Sequence, residues 1–141
     1  MQYMKYDDIY LLSLDRGEEV IQSIKDFCRK QKITLGLIHG IGASNQISVG
    51  LFETAAMQYH TMELTGDHEI TNLSGNISTK DGNVYLHIHA TLVDAKFKAT
   101  GGHLNSAVIS GACELFIQAL DGEGNRIYDS ELGLNVFQLN K

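Results

Sequence analysis

The sequence predicts an α+β fold: a mostly antiparallel, twisted sheet or half-barrel carrying one main amphipathic helix. Three observations predict it. A single stretch, residues 17–33, repeats apolar residues at three- and four-residue spacing. Nearly every other stretch alternates apolar and polar residues or carries turn residues. No proline interrupts the chain, and its 14 glycines are spread along 141 residues instead of forming a linker. One helix among many strands joined by short turns fits an antiparallel sheet in one domain, residues 1–141. A small closed or half-closed barrel plugged by the helix is the variant of the same plan.

The elements follow in order. "KYDDIYLLSL" (5–14) predicts a first strand. In "GEEVIQSIKDFCRKQKI" (17–33), Val20, Ile21, Ile24, Phe27 and Cys28 form one apolar stripe. Glu18 and Glu19 stand at its start and Arg29, Lys30 and Lys32 at its end, the charge order that the helix dipole favours. "ITLGLIHGIGA" (33–43) predicts a buried strand closing on a glycine turn. Strands at 46–54, 59–64 and 68–79 come next, the last ending at the turn signal "KDGN". "VYLHIHATLV" (84–93) and "AVISGACELFIQAL" (107–120) predict two more. After the turn "DGEGN" comes a last strand, "LNVFQLN" (134–140).

Composition excludes several classes. The net charge of −6 disfavours non-specific binding to phosphates, and the three arginines, Arg16, Arg29 and Arg126, are scattered. No apolar run approaches the ~20 residues of a membrane span. The first residues lack the basic start of a signal peptide, so the expected location is the cytoplasm. Cys28 and Cys113 form no Cys-x-x-Cys pair and are expected buried and reduced. "GIGASN" (40–45) lacks the third glycine of a dinucleotide loop and precedes an alternating strand, so it is expected to be a turn.

The chemistry gathers in "YLHIHATLVDAKFKATGGHL", residues 85–104, which holds three of the six histidines. Alternation along a strand puts Val84, Leu86, Ile88, Ala90 and Leu92 on one face and Tyr85, His87, His89, Thr91 and Val93 on the other. His87 and His89 then stand roughly 6.5–7 Å apart along the strand, close enough to converge on one ion. His103 follows Gly101 and Gly102, which permit close backbone approach or positive φ and could return the ring to the first two. Three neutral imidazoles with open positions make a ligand set for a divalent metal, zinc first among them. On its own a His-x-His strand is more often a plain surface pair than a metal site, and the glycine-presented third histidine is what strengthens the metal reading. Glu114, eleven residues beyond His103, is the candidate fourth ligand or general base, with Glu69 and Glu53 behind it. His39, His60 and His68 have the settings of ordinary histidines.

In order and spacing, "GIGA", "EITNLSGNIS", "LHIHATL" with "GGHL", and "CELFI" resemble the plants-and-prokaryotes conserved (PPC) domain, from about Leu11 to Leu139. The resemblance implies an α+β homotrimer in which His87, His89 and His103 match a histidine triad proposed to bind metal in prokaryotic members. His-x-His followed by Gly-Gly-His is also similar to the zinc-binding segment of acetolactate decarboxylases. Those enzymes use a glutamate and an arginine as well, and no arginine here aligns with theirs. In plants the PPC domain usually accompanies an AT-hook, and this chain has neither proline nor Arg-Gly-Arg. Nucleic acid is therefore not expected as a partner. The expected role is a trimeric, metal-binding regulatory or protein-interaction domain, partnered by itself and by a protein or small ligand. The alternative is a metal-dependent lyase or hydrolase acting on a small carbonyl or carboxylate substrate, and DNA binding comes third.

Overall fold

The computed structural model describes residues 1–139. Its element order is β1 (Gln2–Tyr6), β2 (Ile9–Leu14), α1 (Val20–Gln31), β3 (Gly36–Glu53), β4 (Gln58–Lys80), β5 (Asn83–Asp94), β6 (Ala99–Ala119), β7 (Arg126–Asp129) and β8 (Leu134–Phe137). The first six strands form one antiparallel sheet in the order β1-β2-β6-β3-β4-β5, and β7 and β8 form a separate hairpin. This is the mostly antiparallel α+β architecture that the sequence predicts.

Between 5 and 14 the expected single strand is two. Asp7 takes a left-handed φ of 51° and turns the chain between β1 and β2. A short polar side chain tolerates that conformation better than a branched one. The helix runs as read. Its N-cap is Glu19, whose carboxylate accepts from the backbone N–H of Ile21 at 3.0 Å and of Gln22 at 2.6 Å. The same carboxylate accepts from Ala107 N at 3.0 Å and so ties the helix start to β6. Lys32 closes the other end in the left-handed region. Val20, Ile24, Phe27 and Cys28 are buried, and Phe27 meets Tyr10 edge-on at 5.2 Å.

The glycine turn expected at 40–45 is absent. β3 passes straight through Gly40 and Gly42, so the strands expected at 33–43 and 46–54 are one. These glycines serve close approach: a Cβ at Gly42 would stand 2.8 Å from Cys113 Cβ, and one at Gly40 would strike Leu115 and the Glu114 carbonyl. A register shift between Gly40 and Gly42 bends the strand there without ending it. Likewise 59–64 and 68–79 belong to one strand, β4. The "KDGN" turn stands as predicted, with Asp81 and Gly82 both at positive φ.

The long, bent strands curl the sheet into a half-barrel. β5 pairs with β4 along its length, but with β6 only over His89–Val93 against Ala99–His103. Beyond His103, β6 leaves β5 and pairs with β3, and α1 packs against both β5 and β6 where they part. The helix thus fills the gap over a core that includes Leu12, Ile24, Leu73, Ile88, Leu92 and Leu115. Burying each such side chain stabilises the fold by about 1.5–3 kcal/mol. Cys28 and Cys113 lie in this core as free thiols, each pushed up to about 12 by burial. Of the expected strand 134–140, the β7–β8 hairpin contains Leu134–Phe137, and Asn140 lies outside the described residues. β7 is an addition: nothing in the sequence reading marked 126–129 as a strand. Among the described residues no helix is long and apolar enough to cross a membrane.

Candidate metal centre

The β5–β6 hairpin builds the site. On β5, Leu86, Ile88, Ala90 and Leu92 are buried, while His87 is half-buried and His89 exposed on the opposite face, as alternation requires. At the hairpin end, the Asp94 carboxylate accepts from the backbone N–H of Lys96 at 2.8 Å and of Lys98 at 2.9 Å. Those bonds, Lys98 first, hold its carboxyl below the usual carboxylate range. The turn fixes a register in which His103 on β6 stands directly opposite His89.

Gly101 and Gly102 act through close approach alone. Both lie inside β6 with no positive φ, paired in unbroken register with Thr91 and Ala90 of β5. A Cβ on Gly102 would sit 2.6 Å from the Gly50 carbonyl of β3, and one on Gly101 would strike the Ala90 carbonyl of β5. Their absent side chains let three strands converge beside His103.

The three rings meet. One nitrogen from each of His87, His89 and His103 lies within 4.8 Å of the other two. Ring centroids are 5.1, 5.2 and 5.6 Å apart, and the Nε2 atoms of His87 and His89 are separated by 3.2 Å. Two nitrogens on a tetrahedral zinc, each at about 2.0–2.1 Å, stand roughly 3.3 Å apart, so this pair needs almost no adjustment. Burial, followed by the neighbouring His87 and His89, lowers His103 to about 4. His87 is also lowered, by burial first and then by Arg126 and His89. Both rings are therefore neutral near pH 7, with lone pairs free for a metal.

Glu114 does not join them. It shares β6 with His103, but eleven residues of strand place it about 35 Å along, opposite Ser13 and Ile41 at the far part of the sheet. Sharing a strand did not mean sharing a site. Glu53 pairs with His60 at 2.9 Å, and Glu69 stands opposite Ala43 and Val93. Among the described residues no carboxylate completes the triad. His39 is exposed on β3, and His68 is buried with Nδ1 2.8 Å from the Gly66 carbonyl oxygen.

The triad lines a cleft of about 1020 Å³ whose other walls include Leu51, Phe52, Tyr59, Tyr85, Arg126, Leu134 and Phe137. Arg126 is the residue that the sequence reading missed. It begins β7 and donates to Ser78 Oγ at 2.8 Å, Asn76 Oδ1 at 2.7 Å and the Asn135 carbonyl at 2.8 Å. Its guanidinium lies 4.2 Å from the Phe137 ring centre and 5.0 Å from that of Tyr85, and desolvation lowers its pKa. Tyr59 stands edge-on to His103 and donates to Asn105 Oδ1 at 2.6 Å.

Residues 1–121 match the model of the Plants and Prokaryotes Conserved (PCC) domain. The chain belongs to that family. This PCC domain is 33% identical to a candidate DNA-binding protein from Bacteroides thetaiotaomicron, covering 97% of this chain and 96% of that one with a TM-score of 0.94. It is 34% identical to a metal-containing protein from Archaeoglobus fulgidus, covering 99% and 100% of the two chains with a TM-score of 0.87. The fold also resembles that of alpha-acetolactate decarboxylase from Bacillus subtilis, with a TM-score of 0.51 and 13% identity over 86% of this chain and 57% of that one. At that identity the likeness shows the fold alone. A stretch of 103 residues is 31% identical to bifunctional protein GlmU of Synechococcus sp. (strain JA-2-3B'a(2-13)), covering 68% of this chain and 14% of that protein. The chain thus spans a small part of that curated relative. In this PCC domain His87, His89 and His103 could hold a divalent metal, a three-imidazole set that would leave it able to take further ligands.

Proposed function

We propose that this PCC domain is a zinc-binding protein that assembles as a homotrimer and serves in the cytoplasm as a regulatory or protein-interaction module. One observation carries the metal: three imidazole nitrogens within 4.8 Å of one another. His87, His89 and His103 would hold the ion, and the ion would supply Lewis acidity at the cleft floor. Zinc suits three nitrogen ligands that have no thiolate partner and a remaining open position. The metal-containing relative from Archaeoglobus supports the same reading. The trimer comes from the family resemblance.

A second reading, a metal-dependent enzyme acting on a small carbonyl or carboxylate compound, is favoured by the cleft of about 1020 Å³ above the triad. A site filled by its own side chains would have argued against it. DNA binding ranks last in spite of the relative from Bacteroides, because a net charge of −6 works against phosphate contacts. Metal analysis of the purified protein beside His103→Ala tests the centre. Near-stoichiometric zinc in the wild type, lost in the variant, is expected, whereas equal content in both would refute it.

A further inference from the structure

Arg126 is the part of the cleft that a metal centre leaves unused. The residue is 7% exposed, and among the described residues its guanidinium forms no ion pair with a carboxylate. Burying a cation without a counter-charge is costly, and the two aromatic faces beside it offset only part of that cost. Of its five N–H groups, three are taken by Ser78, Asn76 and the Asn135 carbonyl. Among the described residues two remain without a partner, one on each terminal nitrogen. A divalent ion on three neutral imidazoles would add two more positive charges to the same cleft, again with no protein carboxylate in the triad. Among the described residues, the cleft gathers positive charge between apolar walls and offers it no carboxylate.

We propose that the cleft binds a small organic carboxylate, its carboxylate group on Arg126 and a second oxygen donor facing His87, His89 and His103. The second contact rests on the metal reading above, whereas the first stands on the chain's own atoms. Two free N–H groups suit the two oxygens of a carboxylate, and the apolar walls suit an organic acid better than inorganic phosphate. Leu51, Phe52, Leu134 and Val136 suit a carbon skeleton. Tyr85, against which the guanidinium rests, is two residues before His87 on the same face of β5, roughly 6.5–7 Å away. A skeleton of a few carbons spans such a gap.

Succinate serves as the probe, with neutral succinamide and inorganic phosphate as comparators, in calorimetric titrations of the full chain. Zinc-loaded wild type should bind succinate and not succinamide. Arg126→Gln should bind it about tenfold or more weakly, with zinc content unchanged. Chelator-stripped wild type should bind more weakly but keep its dependence on Arg126. Equal succinate affinity in wild type and Arg126→Gln would overturn the proposal, as would tighter, Arg126-dependent binding of phosphate. If Arg126→Gln does not fold, the wild-type comparison decides, since equal affinity for succinate and succinamide defeats a carboxylate site. Failure of the metal reading is separately visible, as an absence of bound zinc while the stripped protein keeps its Arg126 dependence.

Discussion

His103 is where burial and ligation act in the same direction. Its ring is lowered from an ordinary 6.5 to about 4, first by burial and then by the two neighbouring imidazoles. In the unfolded chain the ring titrates near 6.5, so between pH 6.5 and 4 the unfolded state binds more protons than the folded one. Stability of the metal-free protein is therefore full above pH 6.5 and falls as the solution is acidified toward pH 4. Thermal melts of stripped protein at pH 7 and pH 5 should show a lower Tm at pH 5, and His103→Ala should reduce that difference. An unchanged difference would assign the pH sensitivity elsewhere. Zinc strengthens the dependence, because each ligand must shed its proton to coordinate. Occupancy measured by metal analysis should accordingly drop between pH 7 and pH 5, and a flat profile would count against imidazole ligation.

At the scale of elements, the hairpin joining β5 to β6 sets the register on which His89 and His103 meet. Asp94→Ala removes the acceptor for two backbone N–H groups and should lower the urea midpoint of unfolding. Because the turn positions the rings, zinc affinity in a competition titration should fall with it. Gly102→Ala presses a methyl on the Gly50 carbonyl, and overpacking of this kind costs about 1–3 kcal/mol. Retention of both stability and zinc affinity in that variant would show that the strands yield. These elements also mark what the sequence made legible. The helix stripe and the alternation around His87 and His89 are local patterns, and both stand as read. The role of Gly40, by contrast, is decided by Leu115 on a strand far along the chain, so a local reading mistook close approach for a turn. Glu114 was misplaced for the opposite reason: nearness along one strand was allowed to stand for nearness in space. Arg126 was hidden more deeply, since Ser78 and Asn76 lie 48 and 50 positions before it. Only the folding of the β7–β8 hairpin over β4 brings a lone arginine to the histidines.

For the whole molecule, the half-barrel leaves apolar side chains outside as well as in. Leu37, Ile41 and Phe116 are each 52% exposed. β3 and β6 place them together: Phe116 stands opposite His39, hence diagonal to Leu37 and Ile41 on the neighbouring strand. Diagonal neighbours lie about 7–8 Å apart and share one face, so the three stand together there, with the exposed His39 between Leu37 and Ile41 and Glu114 at the edge. Patches of this kind on a folded chain mark contact surfaces, and the homotrimer we propose supplies the occupant. Light scattering of the wild type should then give three times the 15.6 kDa of one chain. Phe116→Asp places a charge in the middle of the patch, where burial against another copy would be costly, and should shift the protein to monomer. The outward direction of Phe116 means that this change need not disturb the core beneath. Circular dichroism should therefore stay as in the wild type while the mass falls. A variant that remains trimeric would move the interface to another face, and a monomeric wild type would remove the trimer altogether.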